Sequence, residues 1–361
     1  MTRPELAQVL SERWTLDEPD AGEPWCFVNA RLLATGHVLC PSVGSAWVRG
    51  DRLLAATLAP ADGAHVESDL FRDSEKLLDW IAAFESVEPP ERLRLIRYPW
   101  DLVAANGEEI ERQLSGAAAQ EGELHDGAHL VNPSQVHIEP RAVIKPGAVL
   151  DASEGPVLIE RGALIEPNAV IQGPAIVGAG SIVRPGAVVR GETTIGPVCK
   201  VGGEIEASIF QGFSNKQHDG FLGHSFVGMW VNLGADTITS DLKNTYGTIR
   251  VKLNGVGVET GRHFVGSTIG DHAKTGIGTI LPTGCVIGVA ANIFTQIAVP
   301  KFVPSFAWLT GDALEPYRLE KAISIARTVM GRRNQHLSDA ERELLAFVAA
   351  NARRVEAAGW E

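Results

Sequence analysis

The sequence predicts a mainly β chain whose central half is a parallel β-helix, preceded by a small α/β region and followed by helices. Three observations carry this. Aliphatic residues recur with a period of six through the middle of the chain, and a fixed short period is the signature of a solenoid. The 361 residues include 38 Gly and 20 Pro, concentrated where such a period needs corners. Hydrophobic residues make up 45% but aromatics only 6%, with 3 Met, so the core is aliphatic and suits narrow, regular strands.

Residues 1–122 read as a small α/β region. They contain no Gly-rich, phosphate-cradling loop closing on a Lys after a first strand. Arg3 and Lys76 are the basic residues one would nominate there, and both read as ordinary surface charges. The opening Met1-Thr-Arg-Pro-Glu5 has no apolar h-region, and no stretch approaches the roughly 18 to 20 apolar residues of a membrane span. The chain is therefore expected to be soluble, unprocessed and cytoplasmic. Cys26, Cys40, Cys199 and Cys285 lie far apart without a CxxC pair, which predicts reduced thiols and neither a zinc knuckle nor a disulfide framework. A net charge of −12 argues against nucleic acid or anionic membrane as general partners.

Residues 123–300 hold the repeat. From Ile159 an aliphatic residue recurs at Ile165, Ile171, Val177, Val183, Val189, Ile195 and Val201. Ile138, Ile144 and Leu150 precede it at the same spacing, and Ile269, Leu281, Ile287 and Ile293 follow, with Thr275 filling one slot. Gly and Pro mark corners in Ile144-Lys-Pro-Gly, Val183-Arg-Pro-Gly and Ile195-Gly-Pro. Three hexads close one coil, and coils stack at about 4.8 Å. Sandwich strands would instead recur every 8 to 12 residues or so and alternate.

The register slips in three places. Asp151 to Pro156 reads as a bulged corner. From Gly202 to Leu233 the hexads blur around the polar segment Ser214-Asn-Lys-Gln-His-Asp-Gly-Phe-Leu-Gly-His224. Over 239–262 the alternating Thr248-Ile-Arg-Val-Lys-Leu253 and the turn at Asn254-Gly255 predict a hairpin-like arm projecting from the coil. Loops leaving a rigid scaffold are where binding residues concentrate. Past Pro300 the repeat is expected to stop and a helical cap to occupy 301–361. Leu319, Ile323, Ala326 and Met330 give helical spacing over Asp312 to Arg333, and Ser338-Asp-Ala-Glu341 is a capping box opening a second helix.

Several motifs appear in order: Gly191-Glu-Thr-Thr-Ile-Gly-Pro, Lys200-Val-Gly-Gly-Glu, Lys216-Gln-His-Asp-Gly-Phe-Leu-Gly, Val231-Asn-Leu-Gly-Ala-Asp-Thr, Ser240-Asp-Leu-Lys-Asn-Thr-Tyr, Glu259-Thr-Gly-Arg, Ile269-Gly-Asp-His-Ala-Lys-Thr-Gly-Ile, and Ala291-Asn-Ile-Phe followed by Pro304-Ser-Phe-Ala-Trp. In these the chain resembles the acetyltransferase half of the bifunctional UDP-N-acetylglucosamine diphosphorylase/glucosamine-1-phosphate N-acetyltransferases. It is most similar to their alternate bacterial form, usually described as a sugar nucleotidyltransferase family. The resemblance covers roughly 125–335, with weaker traces at Thr2-Arg-Pro, Phe27-Val-Asn-Ala-Arg-Leu-Leu and Tyr98-Pro-Trp-Asp-Leu.

This resemblance implies a left-handed β-helix working as a homotrimer and transferring acetyl from acetyl-CoA to the amine of a hexosamine 1-phosphate, in UDP-N-acetylglucosamine supply. His218 matches the general base, a role imidazole fills at neutral pH. Substrate contacts fall at Arg190, Asn215, Lys216, Phe221, Asn232 and Asp241, with Arg190 and Lys216 assigned to the sugar phosphate. Acetyl-CoA contacts fall at Ala235, Asp236, Lys274, Gly276 and Ile277, with the Ala235 N–H on the thioester oxyanion. No metal is required, and Mg²⁺ enters only if nucleotidyl transfer is retained. The chain departs from the pattern at Phe221, where the family has Tyr; at Gly234-Ala-Asp-Thr237, where it has Gly-Ala-Gly-Thr; at Asp241, where it has Asn; and near Glu206 and Ala207, where it has a phosphate-binding Lys. Two other functions follow from the same family: sugar-1-phosphate nucleotidyl transfer, opposed by the shortened 1–122 region, and non-catalytic binding of a sugar nucleotide by a trimer.

Overall fold

Each hexad supplies one short strand and one corner, so three hexads return the chain to its starting face, and stacked coils give three parallel sheets. The computed structural model describes residues 4–13, 22–33, 40–63, 65–66, 70, 74–91, 93–116, 118–295 and 297–357; Arg3 lies outside them. Two compact units divide between Tyr98 and Pro99.

In the first unit a four-stranded sheet runs in the spatial order Trp25–Val28, Arg52–Leu58, Ser45–Arg49, Glu85–Val87. Helices α1 (Pro4–Arg13), α2 (Pro60–Gly63) and α3 (Ser74–Ala82) accompany it. Trp47, Leu54, Ala55 and Leu93 form one small core, and Ala46, Leu53 and Ala56 another with Leu77 and Trp80 of α3. Lys76 is exposed. Cys26 and Cys40 are joined by a disulfide, with Cα atoms 6.2 Å apart, which corrects the expectation of reduced thiols. Their spacing of 14 residues carries no geometry by itself; the fold brings the pair within disulfide range. With that bond, the argument from thiols to a reducing compartment no longer applies. Cys199 and Cys285 are free and buried.

The second unit is the solenoid with its flanking helices. The first face carries Glu123–Leu124, Val143–Ile144, Leu164–Ile165, Ile182–Val183, Lys200–Val201 and Asn215–Lys216; the second runs from His129–Val131 to Phe221–Gly223; the third has nine strands, from Val136–Ile138 to Phe302–Val303. Ile144, Ile159, Ile165, Ile171, Val177, Val183, Val189, Ile195 and Val201 are all fully buried in one continuous core. Every second residue faces inward, so a hexad places one large aliphatic side chain inside per strand. On the third face, strand partners stand 18 residues apart at Val157, Ala175 and Thr193. Beyond this the coils change length: Thr194 pairs with Ile209, Ile209 with Phe226, and Phe226 with Thr268 across the arm. The blurred hexads are therefore coils of altered length that keep their pairing.

The arm is a hairpin of Arg250–Leu253 and Val256–Glu259. Its base packs on the coil, with Ile249 and Val251 buried against the corner at Gly284, while Val256 at its turn is 66% exposed. Helix α4 (Pro99–Gln113) lies on the solenoid, where Asn106 donates to the Glu192 carbonyl and accepts from the Thr194 hydroxyl. The repeat continues past Pro300: Phe302–Val303 joins the third face and Ala307–Thr310 joins the first, because Val303 and Leu309 still fill inward slots. Ala313–Pro316 then folds back on Ala307–Thr310, so helix α5 spans Leu319–Gly331 and starts later than Asp312. Helix α6 (Asp339–Val355) opens with the expected capping box of Ser338 and Glu341. Ala322, Ala326 and Leu345 of these helices cover Ala290 and Phe306, and the Glu356 carboxylate accepts from the Ser305 N–H and hydroxyl.

Candidate active site

The corner between the first and second faces gathers three loops on successive coils: Gln217–Gly220, Gly234–Thr237 and Gly276–Thr279. They stack closely enough that a Cβ on Gly220 would lie 2.4 Å from the Thr237 carbonyl oxygen, and one on Gly234 would lie 2.5 Å from that of Gly276. The Gly278 N–H donates to the Ala235 carbonyl at 2.8 Å. His218 is exposed, and its imidazole bonds no described residue. The Ala235 N–H likewise donates to no group among the described residues. Asp236 holds a left-handed backbone, φ +57°, and Ile277 is 75% exposed.

Beside this edge, Asn215, Asn232 and Lys274 form a ladder up the first face. The Asn215 side-chain amide donates to Asn232 Oδ1 at 3.3 Å, and its Oδ1 accepts from Arg333 at 2.6 Å. Lys274 donates to the His272 carbonyl, and burial lowers its pKa to about 8. His218, Ala235, Asp236, Gly276 and Ile277 thus share one edge, with Asn215, Asn232 and Lys274 alongside.

The other expected residues lie elsewhere. Lys216 occupies an inward slot, 1% exposed, and donates to the Gly202 and His218 carbonyls, each at 2.9 Å. Arg190 points outward on the second face and pairs with Glu204 at 2.7 Å. The basic pocket expected from the two is not formed: adjacent positions along the chain's period face opposite ways, and the wall of the solenoid separates them. The 620 Å³ cavity beside Arg190 is instead lined by Glu108, Glu111, Glu154, Glu192 and Glu206. Phe221 pairs in register with Glu204 on the second face.

Asp241 sits at the next corner, where His224 Nδ1 meets its carboxylate at 2.8 Å. The His224 ring stacks on Phe264 at 5.0 Å and lines the 620 Å³ cavity and a second one of 450 Å³. The sequence does not pair the two. The only signal there is a carboxylate 17 residues after a histidine, one coil length in this region. Among the described residues, no three His, Cys, Asp or Glu side chains converge as a metal site, and no helix is long and apolar enough to cross a membrane.

Comparison with known proteins gives two family matches: sugar nucleotidyl transferase over residues 2–120 and bacterial transferase hexapeptide (six repeats) over residues 156–191. A bifunctional sugar-1-phosphate nucleotidylyltransferase/acetyltransferase of Sulfurisphaera tokodaii is 34% identical over 152 residues, 42% of this chain and 38% of that protein. The bifunctional protein GlmU of Methanococcus maripaludis is 32% identical over 233 residues, 64% of this chain and 49% of that protein. That of Methanococcus aeolicus is 39% identical over 137 residues, 37% of this chain and 33% of that protein. The chain spans half or less of the length of these curated relatives. Residues 2–120 are thus similar to a sugar nucleotidyl transferase family and residues 156–191 to the bacterial transferase hexapeptide repeat.

Proposed function

We infer, from this kinship with bifunctional nucleotidyl- and acetyltransferases, that the solenoid edge bearing His218 is an acetyl-CoA-dependent N-acetyltransferase site. Its acceptor is the amine of glucosamine 1-phosphate or a related amino-sugar phosphate. The observation that carries the reading is the stack of three loops at that edge. It presents an imidazole and, one coil on, the N–H of Ala235, neither with a partner among the described residues.

An attacking ammonium must first lose a proton, and His218 is the group at this edge able to take it. The free amine then adds to the thioester carbonyl. The C–N bond forms, the oxyanion accepts from the Ala235 N–H, and collapse breaks the C–S bond; the imidazolium returns its proton to the departing thiolate, and the second proton of the original ammonium, still on the nitrogen, passes to water as the amide forms. Asp236, Lys274, Gly276 and Ile277 would hold acetyl-CoA along the edge. The close approach of Gly234 to Gly276 leaves the backbone bare there, as contact with a co-substrate requires. Asn215 and Asn232 offer amides to the acceptor. The homotrimer belongs to the same proposal, with exposed Ile238, Ile277 and Ile280 as candidate contacts.

Free CoA release from acetyl-CoA and glucosamine 1-phosphate tests the reading. His218→Ala should lose about 10²- to 10⁴-fold in kcat, and full retention removes His218 from its role. The match over residues 2–120 favours a second reading, sugar-1-phosphate nucleotidyl transfer in the first unit. Pyrophosphate release from UTP and N-acetylglucosamine 1-phosphate with Mg²⁺ is its test, and no release rejects it.

A further inference from the structure

Inside the solenoid, the first face stacks Ile144, Ile165, Val183 and Val201 in register, and the next slot belongs to Lys216. One coil further the slot returns to Leu233, and after Thr275 to Ile293 and Leu309. A lysine therefore stands where the repeat calls for an aliphatic side chain. A buried ammonium opposes folding unless hydrogen bonds compensate it, so an inward lysine here requires a reason beyond packing.

Its two bonds supply one. The ammonium donates at 2.9 Å to the Gly202 carbonyl of the preceding coil and at 2.9 Å to the carbonyl of His218 itself. It thus ties the corner carrying the imidazole to the corner below. The other ties to the preceding coil are backbone bonds at the ends of the loop, Gly202 N–H to the Lys216 carbonyl and Glu204 N–H to the Gly220 carbonyl; among the described residues the His218 side chain has no partner. A Cβ on Gly203 would lie 2.9 Å from the Lys216 Nζ, so the glycine at the lower corner makes room for the ammonium. Around it the core turns polar. Thr237 and Thr275 are buried and bonded hydroxyl to hydroxyl at 2.8 Å, and the Thr275 hydroxyl accepts from the Gly234 N–H. The corner carrying Ala235 is thereby braced from inside as well.

We propose that Lys216 is a positioning residue, an internal ammonium that fixes the His218 loop for proton transfer from the acceptor amine. The proposal rests on His218 being the base and deepens that reading. The lysine touches no reacting atom; it acts through the backbone carbonyl of His218.

The test compares Lys216→Met, which keeps the stem and removes the ammonium, with Lys216→Gln, which keeps a shorter donor. The expected result for Lys216→Met is a 10- to 100-fold fall in kcat, KM for both substrates within about twofold of wild type, and a melting temperature within a few degrees of wild type. Lys216→Gln should recover part of kcat. Unchanged kcat in Lys216→Met overturns the proposal. So does a loss of activity matched by an equal loss of folded protein, which marks a purely structural residue. Amide hydrogen exchange at 217–220 gives a readout independent of turnover: Lys216→Met should accelerate it at least 10-fold there and leave the hexads at 159–195 unchanged, and equal rates reject the proposal. Full activity in His218→Ala would overturn the reading of the base instead, while the exchange measurement still decides whether Lys216 fixes the loop.

Discussion

The cost of holding an ammonium inside the solenoid should be visible in the pH dependence of stability. The perturbation is Lys216→Met. Lysine ionises near 10.5 in an unfolded chain, and burial lowers Lys216 to about 8, with Asp219 and Asp236 opposing the shift. At ~1.4 kcal/mol per pKa unit this difference weakens folding by about 3 kcal/mol wherever both states are protonated, that is, below pH 8. Between pH 8 and 10.5 the unfolded chain binds the proton that the folded chain has released, so wild-type stability rises with pH across that window. The variant lacks this contribution. It also leaves the buried Gly202 carbonyl and the part-buried His218 carbonyl without their donor, a combined loss of about 2 to 4 kcal/mol that persists in the same sense at every pH. At pH 7 the two effects largely offset, and the variant should be close to wild type. By pH 10 it should be the less stable by about 2 to 3 kcal/mol more than at pH 7. Lys274 is also lowered to about 8, but it is common to both proteins and cancels in the difference. Urea unfolding of both proteins at intervals from pH 7 to pH 10 measures it. A stability difference that stays flat across the window refutes the reasoning.

Three further outcomes follow from other parts of the fold. Ile171→Ala, at a fully buried inward slot, should lower unfolding free energy by about 2 to 5 kcal/mol in urea titration. His272 is held neutral by burial, to about 3; the unfolded chain takes up a proton below about 6.5 that the fold refuses, so stability should fall as pH drops from 6.5 toward 3, and His272→Phe should flatten that slope in thermal melts. Gly223→Ala would set a Cβ 2.3 Å from the Asp241 carboxylate and 2.5 Å from the Phe221 ring, so it should displace Asp241 from His224, read as a change in the His224 Nδ1 resonance, at a cost of about 1 to 3 kcal/mol.

Much of the architecture was legible because a six-residue period constrains the backbone so tightly: Ile159 to Val201 gave strand, corner and inward face at once, and Ser338 with Glu341 gave the start of α6. What misled was local spacing without tertiary geometry. Leu319, Ile323 and Ala326 are helical as read, but the same pattern could not reveal that Leu309 and Leu314 would pair as strands beforehand. Cys26 and Cys40 meet through the folding of the first unit, which their spacing does not encode. At the candidate site, motif order brings His218, Ala235 and Ile277 into view, since each falls at the same phase of successive coils. Phase also decides Lys216, two residues from His218: counting register from Val201 through a shortened coil puts it inside, and a polar loop of unknown register hides that count. His224 and Asp241 stand apart in the sequence, and their pairing depends on the coil length at that point.

One measurement decides whether the His218 edge transfers acetyl: release of free CoA by residues 1–361 given acetyl-CoA and glucosamine 1-phosphate, with wild type and His218→Ala side by side. Steady turnover by wild type, reduced about 10²-fold or more in the variant at unchanged melting temperature, is the expected result. No release by wild type with glucosamine 1-phosphate or any related amino-sugar phosphate would contradict it, as would equal turnover by the two proteins.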